Sequence, residues 1–243
     1  MAVLSASQCG RIVKRLEGLR AHWQQVPADD DAHAFYMIGP ATYLLAPQIT
    51  FTPDKRRLYT ALARKGNALM HLHFSDLLSR VTQVLSQGLG QPVRLPSSRQ
   101  PLAWPSFHIF VARAGVPCDL AHGGMVHLDN PYLSHRFPFE VRGHVSFTLP
   151  IANFAGGCGL NYWPTPPWPM EQVAKPFPRL PEEIQTWLTT YRRYWPYRLG
   201  QMVAHDGNTP HQVANMTQAQ EGEYRITLQG HAVSDGQTWW MFF

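Results

Sequence analysis

Apolar positions make the first division of the chain. From Ser5 to Trp23 the residues Ile12, Leu16, Leu19 and Trp23 recur at helical spacing behind possible caps at Ser5 and Ser7, which predicts an amphipathic helix. A polar break, PADDDAH, separates it from AFYMIGPATYLL (34–45), whose β-branched and aromatic residues around Gly39 and Pro40 read as one strand or two short ones. Thr52 followed by Pro53 marks the next helix start, because proline at the first helical position gives up no hydrogen bond. Helix is expected through DKRRLYTALARKG and again through SDLLSRVTQVLSQGLG, where Leu77, Leu78, Val81, Val84 and Leu85 form a stripe that ends at glycines.

After about residue 100 the pattern changes to short β-like runs broken by Gly, Pro, Asn and Asp: SFHIFVAR, GMVHL, EVRGHVSFTLPI, CGLNYW, GQMVAH, PHQVA and EYRITLQGHAV. Many short strands with turn signals between them describe an all-β sandwich or barrel such as a jelly roll. Residues 163–197 interrupt it with a proline-rich loop and a helix expected from Pro181 to Tyr194, with acids at its start and Arg192 and Arg193 at its end. A connection of that length in a compact domain reads as a lid or binding loop.

Composition narrows the class. The chain of 243 residues is 44% hydrophobic, 15% charged and 12% aromatic, which excludes disorder and fits one sizeable domain over 1–243. No apolar run approaches the roughly 18 residues that span a bilayer, and the charged start does not read as a signal peptide, so a soluble, cytoplasmic protein without a membrane partner is expected. Cys9, Cys118 and Cys158 are odd in number and unpaired in spacing, which points to reduced thiols of structural role. The formal charge of +5 is carried by Arg far more than Lys and forms no block, so no nucleic-acid partner is expected.

The candidate chemistry begins at GGMVHLDN. Twelve His and sixteen carboxylates would give about one His-x-acid pair by chance, and His127-Leu128-Asp129 is the one such pair present. If the run is a strand, both side chains face the same way roughly 7 Å apart along the backbone. One more His would complete the two-His, one-carboxylate face that suits non-haem Fe(II). MVAHDGNTPHQVAN offers His205 and His211; His211 is preferred because it begins a β-like run after a turn, whereas His205 abuts the turn residue Asp206. In EYRITLQGHAV, alternation places Arg225, Thr227 and Gln229 on one face and Tyr224, Ile226 and Leu228 on the other. A buried Arg needs an anionic partner, its fork matches a carboxylate, and the Thr hydroxyl two residues on adds a hydrogen bond.

In these residues the sequence resembles the Fe(II)/2-oxoglutarate-dependent dioxygenases, whose double-stranded β-helix carries His-x-Asp, a distal His and then Arg-x-Ser/Thr in this order. The likeness spans roughly residues 105–233, and FAGGCGLNYW and GQMVAHDGNTPHQV extend it toward the amino-acid hydroxylases related to the non-haem iron halogenases. The resemblance implies a mainly β fold: helical support over 1–100, a jelly-roll core over 105–162 and 198–235, and a lid or insertion over 163–197. It implies Fe(II) on His127, Asp129 and His211, 2-oxoglutarate anchored by Arg225 and Thr227, and O2 as oxidant. It also implies attack on an unactivated C–H bond of a small polar metabolite, a free or modified amino acid, with release of succinate and CO2. Asp129 stands where a related halogenase has Gly or Ala, so oxygen rather than halogen transfer is implied.

Other residues take blander readings. His71 and His73, two apart, do not share a helical face and are read as structural; His122, His135 and His144 are read as surface groups or as partners of a ligating His. Trp163, Trp168, Trp195, Trp239 and Trp240 are read singly as packing, and as a group they suggest an aromatic-walled pocket. The competing functions are an oxygenase of protein or nucleic acid, a zinc hydrolase on the same ligands, and a non-enzymatic cupin-like metal-binding module. Arg225-x-Thr227 argues against the hydrolase, which needs no dicarboxylate anchor.

Overall fold

A computed structural model of the chain describes residues 1–26, 33–40, 52–97, 102–112, 125–155, 158–175, 179–214 and 220–243. Cys118, His122, Gly123, Gly124 and the second half of the run 34–45 lie outside these residues. The expected first helix is α1, Ala6–Gly18, with Ser5 and Gln8 forming a reciprocal capping box. It stops well short of Trp23, because the backbone turns at Leu19 and then enters strand β1, Gln24–Val26, which pairs with β2, His33–Met37.

The two helical stretches anticipated after Thr52 are one long helix, α2, Pro53–Leu89, with Thr52 as N-cap and Gly90 in the left-handed region at its end. Phe74 breaks it with φ −137° and ψ 19°. Its ring is fully buried and meets Phe107 at 4.8 Å, so a packing contact holds the kink. MHLHF is therefore helix rather than a link; His71 lies beside Trp104, and the His73 carbonyl accepts from Arg15.

Two sheets, antiparallel but for one short pair, make the rest. In the larger one β10, Tyr224–Ser234, is central. One of its edges is shared by β4, Ser106–Ala112, and β11, Trp239–Phe242; the other takes β5, Gly143–Ala152, and beyond it β8, Val203–Asp206. β2 continues the sheet outside β4, and β3, Val93–Arg94, runs parallel to β11. The smaller sheet is β7-β6-β9, with β6 spanning Gly159–Tyr162, β7 Arg193–Pro196 and β9 His211–Val213.

Alternation gives β10 two different faces. Ile226, Leu228, Ala232 and their neighbours Phe107, Ile109, Phe147 and Leu149 turn to the apolar side of α1 and α2, where Leu16, Phe74, Leu77 and Val81 close the main core. Burying each such side chain contributes about 1.5–3 kcal/mol. The opposite face of the same strands carries Arg225, Thr227, His231, His108, Ser106 and Ser146, all buried. A polar inner wall of this kind exists to be used, because buried polar groups must find partners. Phe110 and Ala112 of that wall pack against Cys158, Leu160 and Tyr197, so the smaller sheet stacks over it.

Residues 163–197 contain the short helix α3, Met170–Val173, and α4, Glu182–Thr190. α4 ends earlier than expected, since Arg193–Pro196 pairs as β7 with the free edge of β6. Val173, Leu180, Ile184 and Leu188 pack with Trp163 on Val126, the neighbour of His127.

Candidate metal centre and anion anchor

Residues 125–128, the described part of GMVHL, do not form the expected strand. His127 makes an isolated two-way bridge with His211, its N–H donating to the His211 carbonyl at 2.9 Å and its own carbonyl accepting from His211 N–H at 3.0 Å. The Asp129 N–H donates to Gly207 O at 2.9 Å. This short ladder does what a strand would have done and lays both residues against the turn before β9.

Two His and one carboxylate converge there. One donor atom from each of His127, Asp129 and His211 lies within 4.8 Å of the others. His211 Nε2 is 3.2 Å from Asp129 Oδ2, and His127 Nε2 is 3.7 Å from Asp129 Oδ1. Both rings are oriented from behind: His127 Nδ1 meets Met125 O at 2.9 Å and His211 Nδ1 meets Thr209 O at 2.8 Å. A carbonyl only accepts, so Nδ1 carries a proton in each ring and Nε2 turns toward the carboxylate; His211 Nε2 donates to Asp129, and a metal bound there would take the Nε2 lone pair in place of that proton, with Nδ1 held from behind as in metal-ligating imidazoles. Burial alone would raise the Asp129 carboxyl; the hydrogen bond and charge of His211 outweigh it and hold it well below the usual range. Burial lowers His211, and the bond to Asp129 more than reverses that, raising it. The side chains of His127 and Asp129 are 47% and 22% exposed, that of His211 5%, so the trio opens on one side. His205 lies outside it, with its ring 4.3 Å from that of His211 and its Nδ1 turned to Asp206 O.

Arg225 sits fully buried on the inner wall. Its Nε donates to Cys158 Sγ at 3.0 Å, and its guanidinium lies over Phe110 at 5.0 Å and near the Tyr197 ring at 5.9 Å. Among the described residues Nη1 and Nη2 have no hydrogen-bond partner. Leaving neutral donors buried and unpaired costs roughly 1–3 kcal/mol, and charged ones more, which makes this guanidinium a candidate anion site. Thr227 Oγ1 accepts from Gln229 at 3.0 Å, which leaves its hydroxyl hydrogen to donate. The Asp129 carboxylate acts electrostatically on His108, His144 and His231 of the wall, and Arg225 acts on His108.

Sequence reasoning did not single out Cys158, Phe110 and Tyr197 for the anchor. A thiol and two rings carry no signature of that role; their functional content comes from stacking of the sheets. His144 is no surface group: its ring lies under Gly207, beside the Asp129 carbonyl. His135 packs between Tyr59 and Phe242. The tryptophans do not form one wall; Trp163 is buried with Nε1 donating to Leu188 O, Trp168 meets Trp187, and Trp195 is exposed.

The chain has the fold of the 2-oxoglutarate-dependent oxygenases. In particular it is similar to the N-substituted L-amino acid dioxygenase of Burkholderia ambifaria AMMD, at 15% identity over 96% of this chain and 91% of that one, with a TM-score of 0.53. The structure of that dioxygenase in complex with alpha-KG matches at 13% identity over the same shares, with a TM-score of 0.50. The non-heme alpha ketoglutarate dependent epimerase SnoN from nogalamycin biosynthesis overlaps more loosely, at 15% identity over 97% of this chain and 80% of that one, with a TM-score of 0.47. No protein-family model and no curated protein matches the sequence.

Proposed function

We propose that the protein is an Fe(II)- and 2-oxoglutarate-dependent oxygenase that hydroxylates, or otherwise oxidises, a C–H bond of a small polar metabolite, a free or modified amino acid. The observation that carries this reading is the buried Arg225 with two unpaired Nη donors on the same inner wall that faces the His127, Asp129 and His211 trio. Two neutral imidazoles and a carboxylate suit Fe(II), and the guanidinium with the Thr227 hydroxyl suits the far carboxylate of a dicarboxylic cosubstrate. Iron and 2-oxoglutarate, when bound, supply with O2 the oxidising power for C–H attack, releasing succinate and CO2.

The chain's own residues supply position. His127 and His211 present Nε2 because Met125 O and Thr209 O hold their Nδ1 protons. Asp129 remains ionised, so it binds as a carboxylate and fills the position a halogenase leaves to halide. Cys158, Phe110 and Tyr197 fix the guanidinium edge and faces, leaving the Nη pair to receive the carboxylate. One domain over 1–243 with a double-stranded β-helix core fits the two stacked sheets. Residues 163–197 serve as the lid, a role supported by their packing on Val126. A closed lid keeps water from the oxidising centre.

Anaerobic Fe(II) with 2-oxoglutarate is expected to give the weak visible charge-transfer band of the chelate. Asp129→Ala and His211→Ala are each expected to abolish it; a band unchanged in both variants rejects the site.

A further inference from the structure

The inner face of β10 does not end with the anchor. Alternation carries it on from Arg225, Thr227 and Gln229 to His231 and Val233, and the register places Thr148 beside Gln229, Ser146 and Phe242 beside His231, and His144 beside Val233. His231 stands six residues from Arg225, roughly 20 Å along the strand, so one cosubstrate held at Arg225 does not occupy both ends. The far end is as polar as the near one. Ser146 Oγ and His231 Nδ1 are hydrogen-bonded at 2.9 Å, and both residues are buried. The His144 ring follows, 5.9 Å from His231 and 4.6 Å from Tyr132. His144 is only 8% exposed, and among the described residues neither of its ring nitrogens has a hydrogen-bond partner. Phe242, 5.6 Å from the His231 ring, sets an apolar surface beside them. None of these groups is among the proposed metal ligands or the Arg225 anchor, and the His144 ring meets the Asp129 segment at Gly207.

We propose that Ser146, His231 and His144 form the substrate subsite of the oxygenase proposed above, and that it takes an uncharged group that both donates and accepts hydrogen bonds, a carboxamide, beside an apolar substituent packed on Phe242. The inference rests on that functional reading. A neutral imidazole offers one N–H and one lone pair. Between them, His231 Nε2 and a His144 nitrogen can present one donor and one lone pair; a carboxamide uses both, whereas a carboxylate uses the donor alone and leaves the lone pair facing a negative charge. Among the described residues no carboxylate is bonded to the buried His144 ring, and a buried imidazole without an ionic partner is neutral. The subsite therefore selects an amino acid whose carboxylate is masked as an amide over the free acid.

The test uses the enzyme loaded with Fe(II) and 2-oxoglutarate in air. Succinate release is measured with each of a panel of amino acids presented as the free acid and as the N-acetyl carboxamide. Carboxamides are expected to give at least tenfold higher kcat/KM than their free acids. His231→Leu and His144→Leu are expected to raise the KM for the best carboxamide at least tenfold while the KM for 2-oxoglutarate moves less than twofold, and His231→Asn is expected to recover part of the loss. Ser146→Ala, which removes only a hydroxyl, gives the same reading in a milder form should the histidine variants fail to fold. Preference for free acids, no stimulation by any carboxamide, or an unchanged carboxamide KM in the variants overturns the subsite. If the chelate band forms in that case, the subsite alone has failed. Absence of the band in the wild-type protein overturns the oxygenase reading and the subsite with it.

Discussion

Arg225 is the residue on which the proposed chemistry turns, and its surroundings say how it would be tuned. A guanidinium buried among carbon and sulfur is stable only with an anion, so its worth is measured by what it binds. Arg225→Ala is expected to raise the 2-oxoglutarate KM about 10- to 150-fold, the equivalent of about 1.5–3 kcal/mol for a charged hydrogen bond, with the effect on kcat smaller; titration of 2-oxoglutarate at fixed substrate checks it. Cys158 adds a finer test. Its sulfur accepts from Nε at 3.0 Å, and Cys158→Val keeps the packing volume but deletes the acceptor. The expected result is a rise in the 2-oxoglutarate KM of up to about tenfold, one net hydrogen bond being worth about 0.5–1.5 kcal/mol. An unchanged KM would remove the thiol from the anchor. Tyr197, raised to about 12 by burial first of all, remains a neutral phenol and does not compete with the cosubstrate for the guanidinium.

Among the elements, the turn between β8 and β9 has the narrowest tolerance. Gly207 accepts the Asp129 N–H through its carbonyl, and a Cβ placed on it would lie 2.0 Å from His144 Cε1 and 2.6 Å from Asp129 O. Gly207→Ala must push either the ring or the carboxylate-bearing loop away. The charge-transfer band is therefore expected to weaken or vanish in this variant while far-ultraviolet circular dichroism stays native. Nothing in the sequence marks Gly207 out, since its constraint is contact with segments far away in the chain. The same distinction runs through the fold. Helix caps, the alternation of β10 and the spacing of His127, Asp129, His211, Arg225 and Thr227 were legible because residue type and local period carry them. Strands β1, β3, β7 and β11 were not: each has four residues or fewer and pairs on an edge, such as that of β6 or β10, that only the folded sheet supplies, whereas β6, β8 and β9, as short, are bounded by turn residues in the sequence. The kink at Phe74 likewise comes from the ring it must bury against Phe107. His231 was within reach: carrying the alternation two steps past Gln229 puts it on the wall.

For the whole molecule, the consequence of lining an interior with imidazoles is a dependence of stability on pH. Burial, the largest cause in each case, lowers His108 to about 3 and His144 to about 4, with like-charged neighbours adding to it. In the unfolded chain the same rings take up protons near 6.5. Between the two values the unfolded state holds more protons than the folded one, so stability is greatest above about 6.5 and falls as the pH drops toward 4. Each such ring contributes a slope of up to about 1.4 kcal/mol per pH unit inside that window. His211 acts in the opposite sense: raised by Asp129, its contribution is complete below the unfolded value and fades as the pH climbs through its folded value. Asp129, held low, loses its contribution only as the pH falls through its folded value, below this window. Below about pH 6.5 His211 and Asp129 therefore add little slope, and the lowered rings set the direction of the change. Urea unfolding of the metal-free protein from pH 7.5 to pH 4.5 is expected to show the midpoint falling steadily below about pH 6.5, and His144→Leu is expected to flatten the slope. A midpoint constant over that range would mean that the inner wall is already open to water and protons in the folded state, which would also remove the dry pocket on which selection of an uncharged substrate group depends.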